Sequence, residues 1–401
     1  FVLLPAGAAC FFLGSQDYGA GLWIRVVLAA LALPLLDTAL SVLLGAGLAF
    51  LSSKVSKGKA LGQNVVMALF LVAVFYFSFR LNDLIAELAV HAAGIKEGMT
   101  WAAPLLWMAD GVLGDWGLLL AFLACCAIPF ALVALVLGKG YRRAVTAFQT
   151  RTARSDYRLT AQSAAGQRKA LLRKEAKRFF GTPIYFWNGG LGLIFLLVLG
   201  GAAVVKRGDL QALLSQLNGM LPVAPLAGAV MGFCLSMTVV CAPSVSLEGQ
   251  CLWILREAPV REKTLLWVKT GFQLLLTLPC TIIAAACLTW ALALPAWQGG
   301  LLLLAMGAFC VGSACFGMMM GLTFPKLDAA NEALVIKQSM SVTLAMFVPM
   351  GVLALAGVAC WLGSMLSPEA MLLLPTALLV ILAVLCWLWL ENRGPALLKR
   401  L

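Results

Sequence analysis

Nine runs of apolar residues, each long enough to cross a bilayer as a helix, divide this chain near 22–51, 61–79, 116–138, 183–205, 219–241, 266–294, 300–322, 339–363 and 370–390. A hydrocarbon core takes about 17–25 residues of helix. Within it the backbone must satisfy its own hydrogen bonds, which leaves helices as the answer for runs this long. The chain is 62% hydrophobic and 11% charged, with a mean hydropathy of +0.98, whereas a soluble domain carries about 25% charged residues. The expected fold is all-α and polytopic, with nine full spans and a partial first helix. That partial helix is Phe1 to Leu13, which starts without Met and is too short to cross alone. It reads as the tail of a helix cut at its beginning. A signal peptide would need a basic leader and a small-residue cleavage site, and neither is there.

Alternating the nine spans places the segments 54–59, 139–178, 243–270, 323–338 and 391–401 on one side, and together they hold 24 of the 29 Lys and Arg residues. Arg25, Arg80, Lys96, Lys206 and Arg207 fall on the other side. Acids divide evenly, eight and eight, with Asp37 inside a span. Basic residues collect on the cytoplasmic side of membrane proteins, so the net charge of +12 records topology and implies no nucleic-acid partner. The C-terminus from Glu391 to Leu401 is expected in the cytoplasm, and the protein in the plasma membrane.

Metal and redox chemistry find little footing. Eleven of the twelve cysteines lie in or beside apolar spans, with Cys251 the exception, and no C-x-x-C pair occurs. A thiol in such surroundings behaves as a small hydrophobe. The lone histidine, His91, has no ligand company. Cofactor and metal sites are therefore expected to be absent.

Two polar segments interrupt the apolar pattern. Ser246 to Ala258, ahead of Pro259, is helix-length and too polar to span. At 100° per residue Leu247, Cys251, Ile254, Leu255 and Ala258 gather on one face, while Gly249, Leu252, Trp253 and Arg256 point the other way. Aromatic and Arg anchors dominate interface energetics, so the segment reads as a docking element. The second segment, Lys139 to Arg178, carries twelve basic and two acidic residues. Its middle, Thr150 to Gly166, reads as a flexible linker. Its end, Gln167 to Phe180, is strongly helical, with Leu172, Ala176, Phe179 and Phe180 as an apolar strip suited to the headgroup level of a membrane; membrane lipid is the expected partner there.

The order of elements repeats. Gly47-Leu48-Ala49-Phe50 parallels Gly321-Leu322-Thr323-Phe324, and Leu4-Pro5 parallels Leu278-Pro279. Phe1 to Gly138 then matches about Lys269 to Leu390, which implies a parent of two six-helix halves.

Three motifs in order, Lys174-Glu175-Ala-Lys177-Arg178-Phe179-Phe180 leading through Thr182-Pro183-Ile184-Tyr185, then Ser246-Leu247-Glu248-Gly249 with Leu252-Trp253-Ile254-Leu255 and Pro259, then Phe324-Pro325-Lys326-Leu327-Asp328 with Asn331-Glu332 and Lys337-Gln338-Ser339, resemble the fused two-half permeases of bacterial type-2 ABC exporters of the Gram-positive type. The resemblance covers essentially the whole chain. It implies that 1–138 is the later part of a first permease half whose beginning is truncated, that 139–166 is a cytoplasmic linker, and that 167–401 is a complete second half. Within that half it makes 167–180 the connecting helix and 246–258 the coupling helix, and it names the docking partner as a cytoplasmic ABC ATPase dimer. The ATPase-coupling candidates are then Glu248, Gly249, Leu252, Trp253 and Arg256. No Gly-x-x-x-x-Gly-Lys-Ser/Thr loop occurs, so ATP is expected to bind the partner. The implied activity is ATP-driven export of an amphipathic, peptide or lipid-like substrate by alternating access.

Two other readings fit parts of the chain. An ion- or proton-coupled secondary transporter should carry several acids within its spans, and Asp37 stands alone as a candidate intramembrane polar site. A non-transporting ABC-linked sensor or immunity protein fits the same residues. Gly45-Ala-Gly47 and Gly317 to Gly321 suit close helix crossing. The outer stretch 81–115, with apolar clusters at Leu81, Leu84, Ile85 and Leu88 and at Trp101, Leu105, Leu106 and Trp107, suits a re-entrant or interfacial helix.

Overall fold

The computed structural model describes residues 21–54, 59–90, 103–149, 166–216, 222–257, 259–329 and 331–401. Every regular element among them is a helix. The chain forms two compact units, Phe1–Ala161 and Gln162–Leu401. Eight helices are long and apolar enough to cross a membrane, which makes this an all-α polytopic membrane protein. The ninth expected span, 61–79, is also helical, and its described apolar portion is Asn64–Phe77. Phe1–Leu13, His91, Trp101, residues 150–165 and Ala258 lie outside the described residues.

Unit 1 contains α1 (Gly21–Lys54), α2 (Lys59–Val90), α3 (Ala103–Leu113) and α4 (Trp116–Gln149). Two boundaries differ from expectation. The helix of the second span continues through Arg80 to Val90, and α4 runs eleven residues past Gly138. The outer apolar cluster Leu81–Leu88 is thus an extension of a span. Helix propensity continues past the apolar run because neither Gly nor Pro interrupts Leu81–Val90. The short α3 folds back on α4 through Gly114-Asp115, where the Asp115 carboxylate accepts the Gly117 N–H at 2.8 Å, an N-cap. Trp107 and Met108 pack on Ala29, Ala32, Leu119 and Phe122, while Leu105 stays exposed.

Unit 2 begins with α5 (Gln167–Gly181) and α6 (Pro183–Val205), followed by the short α7 (Arg207–Gln216). The expected 219–241 span is discontinuous: α8 (Val223–Ser236) stops, residues 237–240 are non-helical, and α9 (Cys241–Ser246) resumes. A 3₁₀ turn (Gly249–Cys251) and α10 (Leu252–Glu257) complete the polar segment. Then come α11 (Glu262–Ala291), α12 (Ala296–Thr323), the short α13 (Glu332–Gln338), α14 (Met340–Ser364) and α15 (Ala370–Arg400). Helices α12, α14 and α15 pack together, and α11 lies between α6 and α12. The Asn331 side chain caps α13 through the Leu334 N–H at 3.0 Å, and Ser339 caps α14 through Val342.

Non-helical backbone at membrane depth survives only where other groups satisfy it. At the α8–α9 break, Gln273 Oε1 accepts the N–H groups of Val240 and Cys241 at 3.1 and 2.8 Å, and the Tyr185 hydroxyl donates to the Val240 carbonyl at 2.6 Å. Gln273 is 2% exposed. The glycines of α12 seat the resumed helix. A Cβ at Gly321 would lie 2.6 Å from the Ala242 carbonyl oxygen, so the 317–321 motif is a close crossing. The Gly45–Gly47 motif differs: a Cβ at either glycine would meet nothing described within 4 Å.

Candidate functional site

The segment expected to dock, Ser246–Ala258, is not one helix. α9 ends at Ser246, and the chain turns through Leu247-Glu248 and restarts as a 3₁₀ turn at Gly249, whose φ is +54°. That left-handed conformation suits a residue without Cβ. The turn shifts the helical phase, so the faces expected from an unbroken helix do not hold. Leu252 is buried at 4%, whereas Cys251 and Ile254 are exposed. Leu247 and Leu255 stay on the packed side, against separate apolar clusters. Trp253 is 61% exposed, as the pattern predicted. Arg256 lies on α10, and its side chain is outside the described residues.

Glu248, at the turn, is 6% exposed. Lys174 Nζ reaches its carboxylate at 2.6 Å, Lys269 Nζ at 2.8 Å and an Arg178 Nη at 3.0 Å. Lys269 is itself 2% exposed and donates also to Glu175 at 2.7 Å and to the Ser244 carbonyl at 3.1 Å. An ammonium has three protons, and here three acceptors surround it. Burial would raise the Glu248 carboxyl, but the Lys269 charge and the hydrogen bonds from Arg178 and Lys174 hold it down at about 2. Burial lowers Lys174 more than its contact with Glu248 raises it.

α5 supplies three of these groups because its inward face differs from the expected apolar strip. Leu171, Glu175 and Phe179 are buried, and Phe180 is 46% exposed. Phe179 meets Phe272 and Tyr185 edge-on at centroid distances of 5.7 and 5.1 Å. At its start, the Gln167 amide donates to the Pro259 carbonyl at 2.7 Å. The loop after α12 closes the other side: the Lys326 N–H donates to the Ser246 hydroxyl at 3.0 Å, and the Leu327 carbonyl lies 3.4 Å from a Cβ built on Gly249. The three sequence motifs, separated by more than sixty residues each, thus converge on one node.

Lys269 and Gln273 were not singled out from sequence, and Tyr185 entered only as the end of the first motif. Their signal was isolation: Lys269 is the lone cation within the 266–294 apolar run, and a buried cation needs partners. Asp37, the intramembrane candidate, is not part of the node. It lies on α1 of unit 1, exposed, and bonds to no other described residue.

Residues 166–348 match the ABC-2 type transporter family. This stretch, a little under half of the chain, is similar to ABC-2 membrane domains. It begins at α5, ends within α14 and contains the whole node. No curated protein and no solved structure matches the chain. The ABC-2 domain and the apolar helices indicate a multi-pass permease component of an ABC transporter. ABC-2 permease domains are transport components without catalysis of their own, and the family implies association with an ABC ATPase.

Proposed function

We propose that this chain is the membrane subunit of an ATP-driven ABC exporter of the fused two-half type, and that an ABC ATPase dimer docks on the segment around α10. The carrying observation is the contrast within that segment. Its root, Glu248, is fixed by three cations, while Trp253 and Ile254 are 61% and 52% exposed beside it. Exposed aromatic and aliphatic side chains on a rigid base are what a docking surface needs. Arg256 belongs to the same surface by its place on α10, and Leu252 and Gly249 act by holding it in position.

In this reading the node lies on the cytoplasmic side of the plasma membrane, with the C-terminus, and 1–138 and 167–401 are the two permease halves joined by 139–166. ATP binds and is hydrolysed on the partner. Closure of the ATPases displaces α10, and Glu248 passes the displacement to α5 and α11, which alternates access for an amphipathic, peptide or lipid-like substrate. Co-expression with candidate ABC ATPases from the same genome tests this. Wild type should retain the ATPase on purification, and Trp253→Ala combined with Arg256→Glu should cut the retained ATPase at least tenfold. No retained ATPase with wild type sinks the permease reading; retention indifferent to the double change moves the docking surface elsewhere.

A further inference from the structure

At the end of unit 2 opposite α5, a cleft of about 650 Å³ opens between the C-terminal turns of α11 and the start of α12. Its walls are apolar, with Ile282 and Ala286 on one side and Leu303 on the other. Arg207 stands at its rim, the guanidinium carbon 4.0 Å from the centroid of the Trp290 ring. The Gln211 amide of α7 donates to the Ala291 carbonyl at 3.2 Å, which pins the Arg207 helix over the end of α11.

Among the described residues the charge at this rim has no counterion. Lys206 takes the adjacent acid, Asp209, at 3.1 Å. No described carboxylate or carbonyl accepts from Arg207, and its Nε is buried without a partner. Stacking on an indole fixes the guanidinium plane and leaves its edge free to donate. Trp290 and Trp297, 53% and 47% exposed, mark this level as the membrane border. Below it, Ile282 and Leu303 carry exposed apolar surface along the cleft.

We infer that the cleft binds an amphiphile with a single anionic head, a phosphate or a carboxylate, which pairs with Arg207 while an aliphatic tail lies along Ile282 and Leu303. A guanidinium matches such oxyanions with paired donors. A neutral or zwitterionic head leaves the orphaned donors without a charged acceptor or brings a second cation to the rim. The inference concerns binding alone and holds whether or not an ATPase docks at α10.

Brominated lipids quench tryptophan on contact, so full-length protein in phosphatidylcholine nanodiscs is titrated with brominated lysophosphatidylglycerol and brominated lysophosphatidylcholine. The contribution of Trp290 is isolated by subtraction of Trp290→Phe. Expected is at least a tenfold preference for the anionic lipid at Trp290, lost in Arg207→Gln and partly kept in Arg207→Lys. Gly300→Leu should fill the cleft and abolish quenching by both lipids; a Cβ at Gly300 meets nothing within 4 Å, so that variant tests the cavity without disturbing the helix. No headgroup preference in wild type, or an unchanged one in Arg207→Gln, overturns the inference. Two further arms separate the sources. Phospholipid that copurifies with wild type and not with Arg207→Gln marks a bilayer lipid. Decanoate or dodecyl phosphate that competes for the site and raises ATP turnover of the assembled complex marks transported cargo.

Discussion

Replacing Lys269 by Met keeps the side chain's length and apolar bulk while removing the charge on which Glu175 depends. Glu175 is 3% exposed and has no other hydrogen-bond partner among the described residues. Glu248 keeps Lys174 and Arg178. The loss therefore falls mainly on Glu175, which becomes a buried carboxylate without its ion-pair partner, a change that costs about 3–5 kcal/mol. For a unit of this size each kcal/mol shifts the unfolding midpoint by about 2–4 °C, so Lys269→Met should lower it by on the order of 10 °C. Adding Glu175→Leu removes the stranded charge, and an apolar pair in place of a buried ion pair is often neutral. The double variant should then recover most of the loss, with a coupling energy of about 2 kcal/mol or more. The measurement is thermal unfolding of the four proteins of the cycle in one detergent. Additive losses, with the double variant less stable than Lys269→Met, would refute the pairing of these two residues.

The Glu248 carboxyl is held at about 2 against an ordinary 4.5, so it stabilises the folded state above pH 4.5 and loses that contribution as pH falls toward 2. At about 1.4 kcal/mol per pH unit the full span is about 3 kcal/mol; Glu248→Gln should be less stable near neutrality and flatter in an acid titration of unfolding, and equal slopes would contradict it. Gly321→Ala should cost about 1–3 kcal/mol, since its methyl would enter the Ala242 carbonyl. Gly45→Ala, with open space around its Cβ, should be neutral or slightly stabilising in the same assay. Tyr185→Phe strands the buried Val240 carbonyl and should cost about 1–3 kcal/mol.

The spans were legible because lipid imposes one rule on every residue of a run, and a run of apolar residues has few ways to meet it. The break at 237–240 was not legible. Its sequence, Met237-Thr-Val-Val240, has no Pro or Gly to stop a helix, and the groups that satisfy the interrupted backbone come from Tyr185 and Gln273, distant in the chain. The faces of the docking segment failed for a related reason. Periodicity assumes a constant phase, and the positive φ at Gly249 resets it. Thus Trp253 kept its expected exposure while Leu252 and Ile254 exchanged theirs. The basic segment 139–178 announced its sidedness but not its pairing, because a positive border and a buried ion node use the same residue types. Within unit 2 only Lys269, a cation inside an apolar run, carried a signal of burial that composition alone could not explain.

The node has a mechanical consequence that follows from its burial. Lys269 and Gln273 are one turn apart on α11, one holding Glu248 and the other holding the α8–α9 break. Thr277 and Thr281 continue the same buried face, with the Thr281 hydroxyl 3.3 Å from the Cys310 sulfur of α12. A displacement of Glu248 that left α5 and α11 behind would separate a buried carboxylate from Lys174, Arg178 and Lys269 and leave it underpaired. A displacement that carried α5 and α11 along keeps all of those contacts and moves the support of the helix break with them. The second motion is the cheaper by several kcal/mol on the cost of stranding buried charges, so in the proposed coupling the polar segment, α5 and the first half of α11 are expected to move as one body.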